Sequence, residues 1–160
     1  MALIDFAILA PIPLEHLPPA AEIARNTGYV SFGSYKFELF RQIDHMAQGE
    51  QVPVVIYPSH ESDVVHTSFR ISWCAWYIGH VAGHDEKRSD ERSGHRPATT
   101  QQYENDNAIG WPIFWRIKDL QQLPSEHHKR ISDLASYKTG FWRKNSPPRG
   151  PEVVARPEWI

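Results

Sequence analysis

Aromatic and basic residues alternate near the C-terminal end of the chain, between Tyr137 and Arg149. An aromatic ring can stack on a nucleobase while a neighbouring cation contacts phosphate, so this pattern is typical of proteins that bind single-stranded nucleic acid. A strand whose aromatic residues complete the core and whose basic residues face water explains the pattern equally well. In the nucleic-acid interpretation, the residues that contact the phosphate backbone are Lys138, Arg143, Lys144 and Arg149.

The distribution of charge is consistent with this interpretation. The formal net charge is −2, which argues against a protein whose whole surface binds nucleic acid. However, residues 1–66 hold three bases and eight acids, whereas residues 127–160 hold seven bases and three acids. The basic C-terminal part predicts either a phosphate-contacting face or a solvated surface.

A metal site is not expected from the histidines. His80 and His84 are four residues apart, but Gly79 and Gly83 disfavour the helix that would bring both imidazoles to one ion. Cys74 is the only cysteine, so no cysteine pair completes a zinc site and no intrachain disulfide can form. We therefore expect no metal and no cofactor.

A catalytic site has one candidate, the pair Lys36 and Glu38 near Ser59. A desolvated lysine or a carboxyl group with a raised pKa can transfer protons near neutral pH. Such pairs are common in a chain of this length, and the sequence contains no Gly-rich phosphate loop, nucleophile elbow or HExxH motif. We therefore expect a non-catalytic protein.

Three segments that could position these residues are predicted strands, at 52–57, 71–81 and 111–118. In the last of them, Trp111, Ile113, Trp115 and Ile117 alternate with other residues, a period of two that gives one bulky apolar face. Segment 71–81 is also rich in aromatic residues, and we expect it to cover that face. Turn chemistry separates these strands, which favours a mixed sheet of five or six strands curled into a barrel with a pocket.

The remaining segments are a first strand at 2–9, three helices and a polar insertion. Helices are predicted at 20–27, ended by Gly28 in a left-handed conformation, at 35–47, capped by Ser34, and at 126–136. Residues 84–107 contain almost no apolar side chains, so they form a mobile loop or a lid over a binding site. A chain of 160 residues can bury one core, which predicts a single domain over 1–160.

A cytoplasmic protein is expected. A single cysteine, in an apolar strand, fits a reducing compartment. The longest apolar run, near Ala7 to Leu14, is interrupted by Pro11 and Pro13 and lacks a basic leader, so we expect neither a signal peptide nor a membrane span.

The segment from Gly33 to Ser59 resembles the EVE domain. In that family a polar turn leads into a helix with a methionine near its end, then a Gly-acid turn and an apolar strand that ends in Tyr-x-Ser. The matching residues here are Met46, Gly49, Glu50, Tyr57 and Ser59. An Ile-Gly-x-Val strand (Ile78, Gly79, Val81), a polar insertion and a tryptophan-bearing strand follow in the family's order, so the resemblance covers about residues 28–124. The family's Trp-Gly-Val-Arg-Asn segment is absent, and Tyr29, Phe32, Gly33, Ser34 and Tyr35 occupy its place.

The resemblance implies an α+β fold of the PUA-like group, which also includes ASCH and YTH domains: a small mixed β-barrel flanked by short helices. Characterised members mostly hold a flipped or single-stranded modified base in an aromatic pocket. The implied function is a non-catalytic module that recognises a modified nucleobase in DNA or RNA. The residues expected around the pocket are Ser34, Tyr35, Tyr57, Ser59 and Trp76.

Two other functions are open. The first is an ASCH-like small-molecule amidohydrolase that acts on a modified nucleoside, in which Lys36 and Glu38 resemble the lysine and acid of that family's motif. The second is a protein-interaction domain that uses the 84–107 loop. Salt-dependent binding of oligonucleotides favours the base-binding module, whereas turnover of free nucleosides favours the hydrolase.

Overall fold

The structure, a computed structural model, describes residues 4–59, 70–83, 95–101, 111–136, 140–141 and 150–160. Within these ranges, strands dominate and three α-helices flank them, which gives an α+β fold. The helices are α1 (Leu17–Thr27), α2 (Phe37–Ala47) and α3 (Ala98–Gln101). The strands are β1 (Phe6–Pro13), β2 (Val30–Ser34), β3 (Val52–Ser59), β4 (Arg70–Ile71), β5 (Trp73–Ala82), β6 (Ile113–Gln122), β7 (Lys129–Arg130), β8 (Ala135–Ser136), β9 (Gly140–Phe141) and β10 (Glu152–Ala155).

Eight of these strands form one mixed sheet in the order β2-β6-β5-β3-β1-β10-β8-β9, and β4 pairs with β7 separately. All neighbours in the large sheet are antiparallel except β1 and β3, which are parallel. The expected mixed sheet is confirmed, and the strands predicted at 52–57, 71–81 and 111–118 correspond to β3, β5 and β6.

The sheet curls because strands far apart in its order bury side chains in one core. Ile8 and Ile12 of β1 and Val30 and Phe32 of β2 belong to the same buried cluster, although three strands separate β1 from β2. A flat sheet could not bring them together. The six strands β2, β6, β5, β3, β1 and β10, which are consecutive in the sheet, therefore form a half-barrel around this inner core. A second, smaller cluster covers the opposite face, with Leu9, Val55, Tyr57, Ile71, Ile131, Leu134 and Val154 among its members.

The two longer helices pack as their sequences predict. In α2, Phe40, Ile43 and Ala47 recur at three or four residues and are buried, which places one face of the helix on the inner core. Helix α1 ends at Gly28, whose φ of 100° is the left-handed conformation that glycine adopts without a steric penalty. The predicted helices at 20–27 and 35–47 are thus confirmed.

Four details of the sequence prediction are wrong. The first strand does not span 2–9 but continues to Pro13. Strand β5 does not cover the face of β6; it pairs beside it, because both strands have bulky residues facing the same core. Ser34 does not cap α2, since it ends β2 and Lys36 occupies the N-cap position.

The fourth error is the helix expected at 126–136. This region instead contains a 3-10 turn before β7, Ser125–His127, and a second one between the short strands β7 and β8, Ile131–Asp133. The backbone is extended at Arg130 and Leu134, on either side of the second turn. Ile131 and Leu134 are buried three residues apart, a spacing that one 3-10 turn satisfies as well as an α-helix does.

A lysine joins the two sides of the half-barrel. The Nζ of Lys36, which follows β2, donates to the Pro151 carbonyl oxygen and lies 2.9 Å from Glu152 Oε1 at the start of β10. Both side chains are more than one-third exposed, so this ion pair orients the segment more than it stabilises the fold. None of the described helices is long and apolar enough to cross a membrane.

The dependence of the fold on α2 can be tested with two phenylalanines of the same helix. Phe40 is fully buried, within 5.5 Å of the Tyr77 and Trp115 rings, so Phe40→Ala should lower the free energy of unfolding by about 3–5 kcal/mol. Phe37 is 46% exposed, and Phe37→Ala should change the free energy of unfolding by only about 0.5 kcal/mol. Urea denaturation measures both values, and equal losses would contradict this packing of α2.

Candidate functional site

A cavity of about 590 Å³ lies where the end of β1 approaches the end of β2. This volume is in the range of small-molecule sites in proteins. Aromatic rings from β2, β6 and Trp111, two residues before β6, form one part of the wall, and polar side chains form another. The lining residues are Pro11, Ile12, Pro13, Glu15, His16, Phe32, Gly33, Arg96, Thr100, Trp111, Trp115 and Pro151.

The aromatic side consists of Phe32, Trp111 and Trp115. The Phe32 and Trp115 rings are 5.6 Å apart and tilted by 37°, and both residues are buried. Trp111 is only half-buried, and its ring packs so closely on Gly33 that a Cβ there would overlap it. Glycine at position 33 therefore allows the Trp111 ring to lie against the β2 backbone at the mouth of the cavity.

The polar side depends on the described residues of the insertion, 95–101. The His95 carbonyl oxygen accepts a hydrogen bond from Ser31 N on the outer edge of β2, and the His95 ring stacks on Tyr29 at 3.8 Å. These contacts bring Arg96 into the cavity wall, where it is 4% exposed. Part of the polar segment 84–107 is thus packed on the sheet.

The buried Arg96 guanidinium has two neighbours that orient it. Its Nη2 donates to Thr100 Oγ1 at 3.1 Å, and its Cζ lies 4.8 Å from the centre of the Phe114 ring. Hydrogen bonding within the first turn of α3 and a cation–π contact hold the side chain in one orientation. A fixed positive charge with planar N–H donors therefore lies at the cavity wall.

His16 is the second buried polar residue of the wall. Burial lowers the pKa of its imidazole, the Glu15 carboxylate acts in the opposite direction, and the Arg96 charge lowers it further. Its Nδ1 is 2.7 Å from Thr99 Oγ1, whereas its Nε2 is 3.8 Å from Glu15 Oε1, which is too long for a hydrogen bond. The imidazole is thus held neutral, and Glu15 does not orient it as in an acid–base relay.

Two of the five predicted pocket residues lie near this cavity. Ser34 is buried at the end of β2, where its Oγ accepts from Lys36 N at 3.1 Å. Tyr35 is 57% exposed, and its ring centre is 4.8 Å from that of Trp111, which places it at the mouth.

The other three predicted pocket residues lie elsewhere. Tyr57 is buried in the smaller cluster on the opposite face of the sheet, where burial strongly raises the pKa of its hydroxyl. Ser59 is the last residue of β3 and pairs with Pro13, next to the cavity without lining it. Trp76 lies on the outer face of β5, with the Arg156 guanidinium 6.0 Å from its ring centre.

The proposed phosphate contacts, Lys138, Arg143, Lys144 and Arg149, lie outside the described residues. The candidate catalytic pair is not assembled, because Lys36 binds Glu152 and Glu38 binds Arg41, each at 2.9 Å. His80 Nδ1 lies 2.8 Å from Asp44 Oδ2. The described part of the chain contains no group of three or more metal-ligating side chains.

Sequence reasoning missed the polar wall, namely His16, Arg96 and Thr100. His16 lies within the proline-rich segment 11–19, and its burial has no periodic signal. Arg96 belongs to a segment whose composition resembles a solvated loop, although Pro97 and the two threonines after it are consistent with a short helical turn. Comparison of the chain with protein-family models, curated proteins and solved structures found no match.

The state of His16 predicts a pH dependence of stability. Because the folded state lowers the His16 pKa below 6.5, the unfolded state binds the proton more readily. The free energy of unfolding therefore has its full value above the pKa that His16 has in the unfolded state, and it decreases as the pH falls below that pKa. His16→Gln should therefore reduce the fall in unfolding free energy between about pH 7.5 and pH 5.5.

Urea denaturation at both pH values measures this difference. The matched control is His127→Gln, at an exposed position outside the cavity, which should retain the wild-type dependence on pH. An unchanged pH dependence in His16→Gln would show that the imidazole is not desolvated in the folded protein.

Proposed function

We propose that this protein is a non-catalytic module that binds a modified nucleobase of DNA or RNA in the cavity between β1 and β2. The observation that carries the proposal is that aromatic rings and buried polar groups line the same cavity. A base has two π-faces and a polar edge, and base-binding pockets use stacking for the first and hydrogen bonds for the second.

The aromatic side supports the binding of a planar ligand. Phe32 and Trp115 offer buried ring surface deep in the wall, while Trp111 remains half-exposed at the mouth. A base that enters beside Trp111 replaces water on its ring without unfolding any described element. Tyr35, which touches Trp111 and is largely exposed, extends the aromatic surface outward.

The polar side supports recognition of a base edge. A neutral imidazole has one N–H donor and one acceptor nitrogen, and Thr100 Oγ1, which donates to the Pro97 carbonyl oxygen, has lone pairs that can accept. Arg96 adds planar N–H donors, so carbonyl oxygens and ring nitrogens of a base are suitable partners.

Features of the whole chain agree with this proposal. The curled α+β sheet is compatible with a PUA-like barrel, and the resemblance to EVE domains over residues 28–124 implies the same class of ligand. The basic residues Lys138, Arg143, Lys144 and Arg149 would contact the phosphate backbone beside the base. A lone cysteine fits the cytoplasm. The hydrolase is not proposed, because Lys36 and Glu38 have separate partners.

A pair of tryptophans tests the site. Trp111→Ala should weaken binding of a single-stranded oligonucleotide that carries one modified base by about 1–3 kcal/mol, because the base loses a stacking surface. Trp76→Ala, outside the cavity, is the matched control and should bind like wild type. Fluorescence anisotropy with DNA and RNA probes that contain 5-methylcytosine, 5-hydroxymethylcytosine or N6-methyladenine measures both. Equal affinity for modified and unmodified probes would refute the proposal.

A glycine substitution tests the cavity without removing an aromatic ring. In Gly33→Ala the new Cβ overlaps the Trp111 ring, so the ring must leave its place at the mouth and oligonucleotide binding should fall at least several-fold. Gly49→Ala is the control, since φ of 86° costs about 1 kcal/mol of strain there but nothing lies within 4 Å of the new Cβ. Unchanged binding by folded Gly33→Ala would place the ligand elsewhere.

A further inference from the structure

Two arginines face each other on the short ribbon that β4 and β7 form. The two strands pair antiparallel, with Arg70 opposite Arg130 and Ile71 opposite Lys129. Ile71 is fully buried in the smaller cluster, whereas Arg70 and Arg130 are exposed. Because successive side chains of a strand point to opposite faces, the two arginines project away from the core on the same face of the ribbon.

This arginine pair, Arg70 and Arg130, brings two positive charges close together. The Cβ atoms of residues directly opposite each other in an antiparallel pair are about 4.5–5.5 Å apart. A guanidinium keeps its charge in proteins, so neither side chain can escape the repulsion by losing a proton. Like charges in this arrangement destabilise a sheet. The folded chain therefore accepts a cost at this position.

The cost is not offset within the described part of the chain. Neither guanidinium of the arginine pair forms an ion pair, a hydrogen bond or a ring contact there. Lys129, the half-buried neighbour of Arg130 in β7, adds a third positive charge to the ribbon. An anion from outside the chain would remove the repulsion and satisfy the N–H donors.

The chemistry of the arginine pair favours a phosphate group. A guanidinium donates two parallel N–H groups to the oxygens of one phosphate or one carboxylate. A carboxylate has two oxygens, and one guanidinium already occupies both in this arrangement. A phosphate has additional oxygens, so two guanidiniums on facing strands can bind it from two sides.

The ribbon lies near the cavity between β1 and β2. Ile71 packs with Tyr57 in the smaller cluster, Tyr57 pairs with Pro11 of β1, and Pro11 lines the cavity. Neighbouring strands are about 4.8 Å apart and packed layers about 10 Å apart, so roughly 10–20 Å separate the ribbon from the cavity wall. Small β-barrels contact about 4–16 nucleotides of a single strand, which is long enough to reach both places.

We infer that the arginine pair binds a backbone phosphate of the nucleic-acid strand whose base enters the cavity. The inference rests on the proposed function for the identity of that strand, but the phosphate contact itself does not require a modified base. Arg70 and Arg130 lie outside the basic segment from Tyr137 to Arg149 that the sequence indicates. The ribbon thus adds a phosphate contact on the outer side of the sheet.

Protection of the ribbon edges explains the arginine pair less well. Charged side chains on short strands prevent pairing with strands of other molecules. One cation and one anion at opposite positions would serve this purpose and would attract each other. Two cations serve it with mutual repulsion, so their choice favours an anionic ligand.

The experiment measures how salt affects binding of single-stranded DNA and RNA probes of about 12 nucleotides, with and without one modified base. Fluorescence anisotropy gives the affinities of wild type, Arg70→Gln and Arg130→Gln between about 50 and 200 mM salt. In each variant the slope of the logarithm of affinity against the logarithm of salt concentration should become less steep by about 0.7, the value for one phosphate contact of a single strand. Affinity for modified and unmodified probes should fall by the same factor.

Arg41→Gln is the matched control for the change in net charge. Arg41 is exposed on α2, away from the ribbon, and its Nη1 lies 2.9 Å from Glu38 Oε1. The substitution removes the same charge as in the two ribbon variants. The salt dependence of binding should therefore remain that of wild type.

Urea denaturation without nucleic acid tests the repulsion itself. Arg130→Gln keeps a long polar side chain on β7 and removes one of the two facing charges. Its denaturation midpoint should equal or exceed that of wild type. A lower midpoint would show that the Arg130 side chain stabilises the fold, and it would overturn the inference.

Three further results would overturn the inference: no probe binds at the lowest salt concentration, both ribbon variants keep the wild-type slope, or inorganic phosphate displaces a probe as well as an unlabelled oligonucleotide does. Binding to phosphatidylserine vesicles that Arg130→Gln abolishes, without binding to any oligonucleotide, would also overturn it and identify a lipid headgroup. A failure of the proposed base-binding function is distinct, because modified and unmodified probes would then bind equally while the ribbon variants still change the slope.

Discussion

The fold depends on one packing constraint, which is that strands from both sides of a long sheet bury their apolar side chains in a single core. Phe40 of α2 contacts Trp115 of β6 and Tyr77 of β5, and the same cluster includes side chains from β1 and β2. The sheet has to curl to achieve this, but β1 and β2 are not hydrogen-bonded to each other. A seam remains between them, and the candidate cavity is the space that this seam leaves.

The seam explains why a polar segment contributes to an otherwise aromatic site. Strand β2 is an edge strand, and its exposed N–H and C=O groups need partners. The His95 carbonyl oxygen accepts a hydrogen bond from Ser31 N, and this contact fixes the backbone immediately before Arg96. This one contact therefore pairs part of the β2 edge and also places the Arg96 guanidinium in the cavity wall. On the other side of the seam, Lys36 Nζ donates to the carbonyl oxygen of Pro151, just before β10, and to the carboxylate of Glu152, the first residue of β10.

Strands and helices with a clear period could be predicted from the sequence. The alternation in 111–118 correctly placed Ile113, Trp115 and Ile117 in one core, although Trp111 is only half-buried and Phe114, on the other face, is buried as well. The stop at Gly28 located the end of α1. For a strand that is buried on both faces, the sequence could not predict which residues pack in which of the two cores. In β3, Val54 and Ile56 pack in the inner core while Val55 and Tyr57 pack on the opposite face. A continuous apolar run contains no signal that distinguishes the two faces.

The same limit explains why the site was only partly predicted. Ser34 and Tyr35 lie at or near the mouth because β2 leads directly to it. The place of Tyr57 in the pocket rests on the order of motifs in the EVE family, and this order does not indicate which face of the sheet a strand residue occupies. Arg96 was missed because hydrophobicity identifies buried apolar residues, and a buried cation depends on contacts with Thr100 and Phe114 that form only in the folded chain.

The prolines of β1 lie in the part of the strand that borders the open seam. Strand β10 pairs with β1 only from Phe6 to Leu9, so beyond Leu9 the strand has β3 on one side and the cavity on the other. Pro11 and Pro13 have no N–H to donate, and proline inside a sheet is found mainly on strands that lack a partner on one side. In the described sheet β2 does not pair with this stretch of β1, and the barrel is not closed here. The prolines that interrupt the apolar run of the sequence thus lie in the stretch of β1 that lines the candidate cavity.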